Sequence, residues 1–298
     1  MNRPYLQLQL LILVFAFTSI LGRLITLPAP LLVLWRTALA AVIMFIWLAI
    51  SKRAPIAMNK GRVLRALGVG VILGLHWMTF FGSIQLANIS ICLAGLASTS
   101  FFTSLTEPLF EKRRLRLGEL LLGVMVIPGL LMIAGASWNH AMGLGCALLS
   151  ALFASIFPVI NRKFALDGIA PQSLTLYEMI GAAVTCLVVS TAFGLPWASQ
   201  LPTPTDGLWL AILVVVCTAW AFSFHIHLLR KFTAFTSNLV MNFEPVYGIL
   251  LAAMIFREHK ELTPLFYLGA SLIIVANIIH ALIHKNRQSA ESGILSAE

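Results

Sequence analysis

Glu244 is a carboxylic acid inside an apolar run, residues 235–256, that is long enough to cross a bilayer. Counting from Phe235 at about 1.5 Å per residue puts it about 15 Å deep, close to the midplane of a hydrocarbon core about 30 Å thick. An acid is costly at that depth and ordinarily functional: it can carry a proton or meet the cationic part of a cargo. Pro245 follows it and has no N–H, so the carbonyl of Met241 loses its helical partner at the same depth. Interrupted membrane helices of this kind line binding sites. Asn238 and Asn242, four residues apart, share a helical face and offer amide contacts to a cargo or to neighbouring helices. Tyr247 completes the candidate cargo contacts of this run.

Two further charges fall within apolar runs. Arg36 lies in one at 29–50 and Glu178 in one at 172–193. Their depths are similar enough for long side chains to meet, as a gating ion pair or as a salt link that only neutralises two costly charges. His76 and Trp77 sit near mid-depth of a third run and Trp220 of another, where aromatic faces could line a cavity and a histidine could relay protons. The hydroxyls Ser90, Ser98, Thr99, Ser100, Thr103, Ser104 and Thr106 suit close helix packing or a polar passage. Glu107 and Glu111 stand beside Lys112, Arg113 and Arg114, as a solvated ionic cluster at a membrane boundary would.

The elements that must position these groups are membrane helices. With 59% apolar and 10% charged residues over 298 positions and a mean hydropathy of +0.93, the chain is no soluble globule. Ten runs reach spanning length, at roughly 5–22, 29–50, 64–86, 89–110, 117–136, 141–160, 172–193, 207–229, 235–256 and 263–283. The first has no A-x-A cleavage site and reads as a retained span. The net charge of +9 is a topology signal, with contact to membrane lipids, and gives no reason to expect nucleic acid. Cations cluster at 52–65, 112–116, 162–163, 230–231 and 285–287, against Arg23, Arg257 and Lys260 in the alternate loops. Both termini are therefore expected in the cytoplasm. All four cysteines lie in apolar runs, so no disulfide framework is indicated.

The chain also repeats itself. Leu32 to Val42 matches Leu174 to Val184 position by position, with Trp35 against Tyr177 and Arg36 against Glu178. Trp77 falls opposite Trp220, Ser98 and Glu111 are spaced as Pro245 and Glu258 are, and Gly123 and Gly269 come at similar distances beyond. The repeat predicts two halves, 1–139 and 140–284, with a polar cytoplasmic tail at 285–298. Five spans per half is an odd number, so the second half enters the membrane from the opposite side. Inverted repeats place a site near the midplane, where the halves meet.

Pro245 to Glu258 and Leu268 to Ile274, with a weaker copy at Glu111 and 123–127, carry a resemblance to the ten-span EamA-like members of the drug/metabolite transporter superfamily. This chain has Ser98 where that family often has proline. The resemblance implies an all-α polytopic protein with two inverted five-helix halves around a central cavity. It also implies a secondary carrier, commonly an exporter of small metabolites. Glu244 adds proton coupling as a candidate, and Glu244 with the tryptophans keeps efflux of aromatic or quaternary cations as an alternative. Uptake is also open to the fold, since topology does not set direction.

Other classes fit poorly. The two aspartates, Asp167 and Asp206, are in loops and no G-x-S-x-G occurs, which argues against an intramembrane enzyme. No filter sequence suggests a channel. His225 and His227 project from different sides of a helix, and His280 and His284 have no carboxylate or thiolate near them, so neither a metal nor another cofactor is expected.

Overall fold

The computed structural model describes residues 3–275 and 279, apart from 53, 113, 116–120, 122, 123, 125, 137, 199, 233–236, 238, 239 and 242. Asn238, Asn242, Gly123, His280, His284 and the cations Arg53, Arg113, Arg116, Lys285 and Arg287 therefore lie outside the described residues. Every regular element among those described is helical: α1 (Arg3–Leu24), α2 (Ala29–Ser51), α3 (Lys60–Leu86), α4 (Ile89–Leu96), α5 (Thr99–Glu111) and α6 (Val126–Ala136). Then come α7 (Ala141–Leu166), α8 (Pro171–Ala192), α9 (Pro204–Val214), α10 (Ala221–Leu228), α11 (Glu244–Phe256) and α12 (Pro264–Val275). Seven stretches are long and apolar enough to cross a membrane: α1, α2, α3, α4 with α5, α7, α8, and α9 through α10. The other three expected runs hold the shorter helices α6, α11 and α12.

Local residue types set many of the boundaries. Asn59 caps α3 by accepting the backbone N–H of Arg62 at 2.8 Å, and Asn88 caps α4 through Ile91 at 2.8 Å. Thr203 and Asp206 form a reciprocal capping box at the start of α9, where Pro204 loses nothing by lacking an N–H. α2 stops at Lys52, which turns left-handed and returns its N–H to Leu48 at 3.1 Å.

Two helix contacts are backbone-close. A side chain on Gly70 of α3 would collide with the Glu178 carbonyl of α8, and one on Gly181 with the Leu67 carbonyl. Gly129 of α6 and Gly269 of α12 meet in the same way, each with the other's carbonyl 2.6–2.7 Å from where a Cβ would lie. Lipid supplies no hydrophobic drive between helices, so glycine contacts that bring backbones together carry the packing.

Each end of the bundle is tied by polar bonds between distant segments. At the end bearing the α1–α2 and α3–α4 turns, Asp206 accepts the Thr26 backbone N–H at 2.8 Å and its hydroxyl at 2.9 Å. Beside α4, the buried Glu258 accepts from the backbone N–H groups of Ile89 and Ser90 at 3.1 and 3.0 Å and from the Ser90 hydroxyl at 2.6 Å. A carboxylate there meets the positive end of the α4 dipole. At the opposite end, Ser173 donates to the Pro55 carbonyl at 2.6 Å, Tyr177 to Ile56 at 3.0 Å and Lys163 to Phe110 at 2.6 Å. Glu107 and Glu111 are less solvated than expected of them, and Arg113 of the expected cluster lies outside the described residues. Glu107 is buried, and Glu111 pairs with Arg162 at 3.4 Å in a half-buried contact.

Candidate functional site

Two apolar stretches are interrupted partway along their length. α11 starts at Glu244, with Pro245 in its first turn, where the missing N–H costs nothing. The α4–α5 stretch breaks at Ala97 and Ser98 without a proline. There the Ser98 N–H reaches back only to Gly95, at 3.1 Å, and the hydroxyls of Ser98 and Thr99 donate to Gly95 and Leu96 at 2.7 and 2.6 Å. Side-chain hydroxyls competing for backbone carbonyls are a known alternative to the helical ladder. Ser98 thus breaks the helix at the position that corresponds to Pro245 in the repeat.

Both breaks open on one cavity. Its wall includes Leu96, Ala97 and Thr99 from the first break and Met241, Glu244 and Pro245 from the second. Arg36, His76, Trp77, Phe15, Thr18, Phe80, Phe157, Phe222 and His225 contribute the rest of the polar and aromatic surface. The cavity measures about 80 Å³, on a scale where one water needs roughly 10–15 Å³. That is room for roughly six waters, a space suited to a compact solute.

Arg36 is buried in this wall, at 1% exposure. Its Nε–H donates to Thr218 Oγ1 at 2.7 Å and Nη2 reaches the Cys217 carbonyl at 3.4 Å. Its guanidinium lies 3.9 Å from the centre of the Trp77 ring, a cation–π contact. Thr218 belongs to a π turn, Val215–Trp220, and donates its own hydroxyl hydrogen five residues back, to Leu213, at 2.7 Å. The widened turn therefore presents a hydroxyl lone pair to the arginine. Among the described residues, Arg36 Nη1 has no hydrogen-bond partner. Glu244 is half-buried and, among the described residues, takes part in no hydrogen bond or ion pair.

His76 Nδ1 lies 2.9 Å from both the carbonyl and the hydroxyl of Ser150. A carbonyl only accepts, so this contact needs the proton on Nδ1. His225 holds Ser237 through Nε2 at 2.8 Å. Phe222 knits the aromatic wall together, with ring centres 5.2 Å from Trp77 and 5.8 Å from Phe157.

The structure brings Arg36, His76, Trp77, Glu244 and Pro245 to one cavity wall and places Glu178, Trp220 and Tyr247 elsewhere. Arg36 and Glu178 do not pair. Glu178 is fully buried, with Asn161 as its polar neighbour, and neither of its carboxylate oxygens meets a hydrogen-bond partner. Arg36 instead turns to the π turn. Trp220 is half-exposed and stacks on Phe224, with ring centres 5.3 Å apart, because the extra residue of the π turn rotates the next helical turn and brings Phe222 inward. Tyr247 is off the cavity wall and donates to Gln9 Oε1 at 3.0 Å. Phe15, Thr18, Phe80, Phe157, Phe222 and His225 were not identified from the sequence. For His225 a signal existed, a histidine at a depth like that of His76 in the other half. Among the described residues, no three His, Cys, Asp or Glu side chains gather as a metal site would.

A helical bundle with seven membrane-length apolar stretches, whose interrupted helices meet at an aromatic cavity with a few polar groups, is that of an integral, multi-pass membrane protein. The chain belongs to the EamA-like transporter family, whose sequence pattern matches it twice, over residues 3–135 and 141–281. It is thereby a membrane transporter of the drug/metabolite superfamily. A solved structure titled only "Crystal structure of protein" has a similar fold, with a TM-score of 0.66 at 15% identity, covering 95% of this chain and 96% of that one. No curated protein matches the sequence.

Proposed function

We propose that this protein is a secondary carrier that exports a compact amphipathic metabolite, an amino acid or related compound, across the inner membrane by alternating access. In this reading ten spans form two inverted halves, 1–139 and 140–284, both termini are cytoplasmic, and the polar ties at the two ends open in turn. The observation that carries it is the cavity between the two helix breaks, where Glu244 and Arg36 share an aromatic wall. Glu244 is the group through which proton coupling would run. His76, Trp77 and Pro245 complete the binding surface, with Asn238 and Asn242 as further candidate contacts.

The aromatic wall with Glu244 also favours a second reading, efflux of aromatic or quaternary cations. Arg36 on the same wall weighs against it, since a permanent cation would meet a buried guanidinium. Counterflow in proteoliposomes tests the carrier reading: saturable, trans-stimulated uptake of radiolabelled solute is expected. Flux that is linear with concentration and indifferent to internal solute would make the protein a pore and defeat it.

A further inference from the structure

Resting on the carrier reading, we infer that the cavity takes a zwitterion, whose carboxylate is held by Arg36 and whose ammonium group is held by Glu244. Arg36 has five N–H donors, of which Nε is committed to Thr218 and Nη2 makes one long contact to Cys217. Nη1 is buried and unpartnered, a state that costs free energy until an acceptor arrives. The guanidinium's planar edge fits a carboxylate with two parallel hydrogen bonds.

The lining also supplies the opposite sign. α11 begins at the same cavity with its own acid, Glu244, in the first turn. Arg36 and Glu244 line one space but form no ion pair with each other, so neither is committed to the other. A lone anion would leave Glu244 unmatched, and a lone cation would leave Arg36 unmatched. A molecule bearing both charges answers both. Trp77, Phe157 and Phe222 leave the remaining wall apolar, which selects a hydrophobic side chain.

The test uses the purified full chain in detergent and ligand-induced shifts of its thermal unfolding. The probes are leucine, methionine and phenylalanine, each beside its amide, which lacks the carboxylate, and its deaminated acid, which lacks the ammonium group. At least one amino acid should bind roughly tenfold tighter than both its analogues, as expected when a buried polar group is left unmatched. In Arg36→Gln the preference over the amide should fall to about one, while Arg36→Lys keeps part of it. In Glu244→Gln the preference over the deaminated acid should vanish. These are ratios within one protein, so a variant that is merely less stable does not imitate them, and the wild-type ratios stand if a variant fails to fold. Amides or deaminated acids binding as tightly as the amino acids, or no binding by any probe, would overturn the inference. Counterflow of a cationic dye alongside either result would leave the carrier reading intact, so the two failures are distinct.

Discussion

Arg36 Nε sits 2.7 Å from the hydroxyl of Thr218, and that hydroxyl is itself fixed by its bond to Leu213 five residues back. The charge on the cavity wall is thus held by a π turn in another helix, and the turn has a purpose beyond its own geometry. Thr218→Val keeps the shape and removes the acceptor. It should cost about 2 kcal/mol of arginine positioning, seen as a KM raised more than tenfold in proteoliposome transport, whereas Thr218→Ser should transport like wild type.

Glu244→Gln should abolish or strongly reduce transport while the protein still reaches the membrane and elutes as a single species. An acid that served only to fill space would tolerate its amide. Flux at the wild-type rate from this variant would remove the carboxylate from the mechanism.

Trp220 and Phe222 make a contrasting pair. Trp220 is half-exposed and Phe222 is buried against Trp77 and Phe157. Trp220→Ala should change stability by less than about 0.5 kcal/mol and leave KM alone. Phe222→Ala empties part of the wall and should cost about 3 kcal/mol, with a clear drop in unfolding temperature and altered cargo affinity.

The charge reversal Arg36→Glu with Glu178→Arg should not restore function lost in either single variant, since the two side chains do not meet. Recovery in the double variant would show a pairing that this arrangement does not contain. Glu178→Gln, which removes a buried acid whose oxygens have no hydrogen-bond partner, should unfold at the same temperature or higher.

Glu258→Ala leaves the N–H groups of Ile89 and Ser90 and the Ser90 hydroxyl without their acceptor. A loss of about 3 kcal/mol is expected. Glu111→Ala removes a half-buried ion pair with Arg162 and should cost less than Glu258→Ala, about 1 kcal/mol. Thermal unfolding of the two variants side by side checks the difference, whose origin is burial, because Glu111 and Glu258 occupy matching places in the repeat.

Hydropathy, capping residues and proline act over a few neighbours, so the membrane class, the long helices and the break at Glu244 and Pro245 were legible in the amino-acid order. Even the internal repeat could be read, from the spacing of Ser98 with Glu111 and of Pro245 with Glu258. Which way each side chain points about its helix axis is a different kind of quantity. It depends on the turn geometry of the whole segment and on the helices packed against it. One extra residue in the turn at Val215–Trp220 sent Trp220 outward and Phe222 inward and gave Arg36 a hydroxyl partner. Phe15, Phe157 and His225 joined the wall for the same reason, because the cavity exists only where several helices, each set in rotation by its neighbours, fail to fill the space between them.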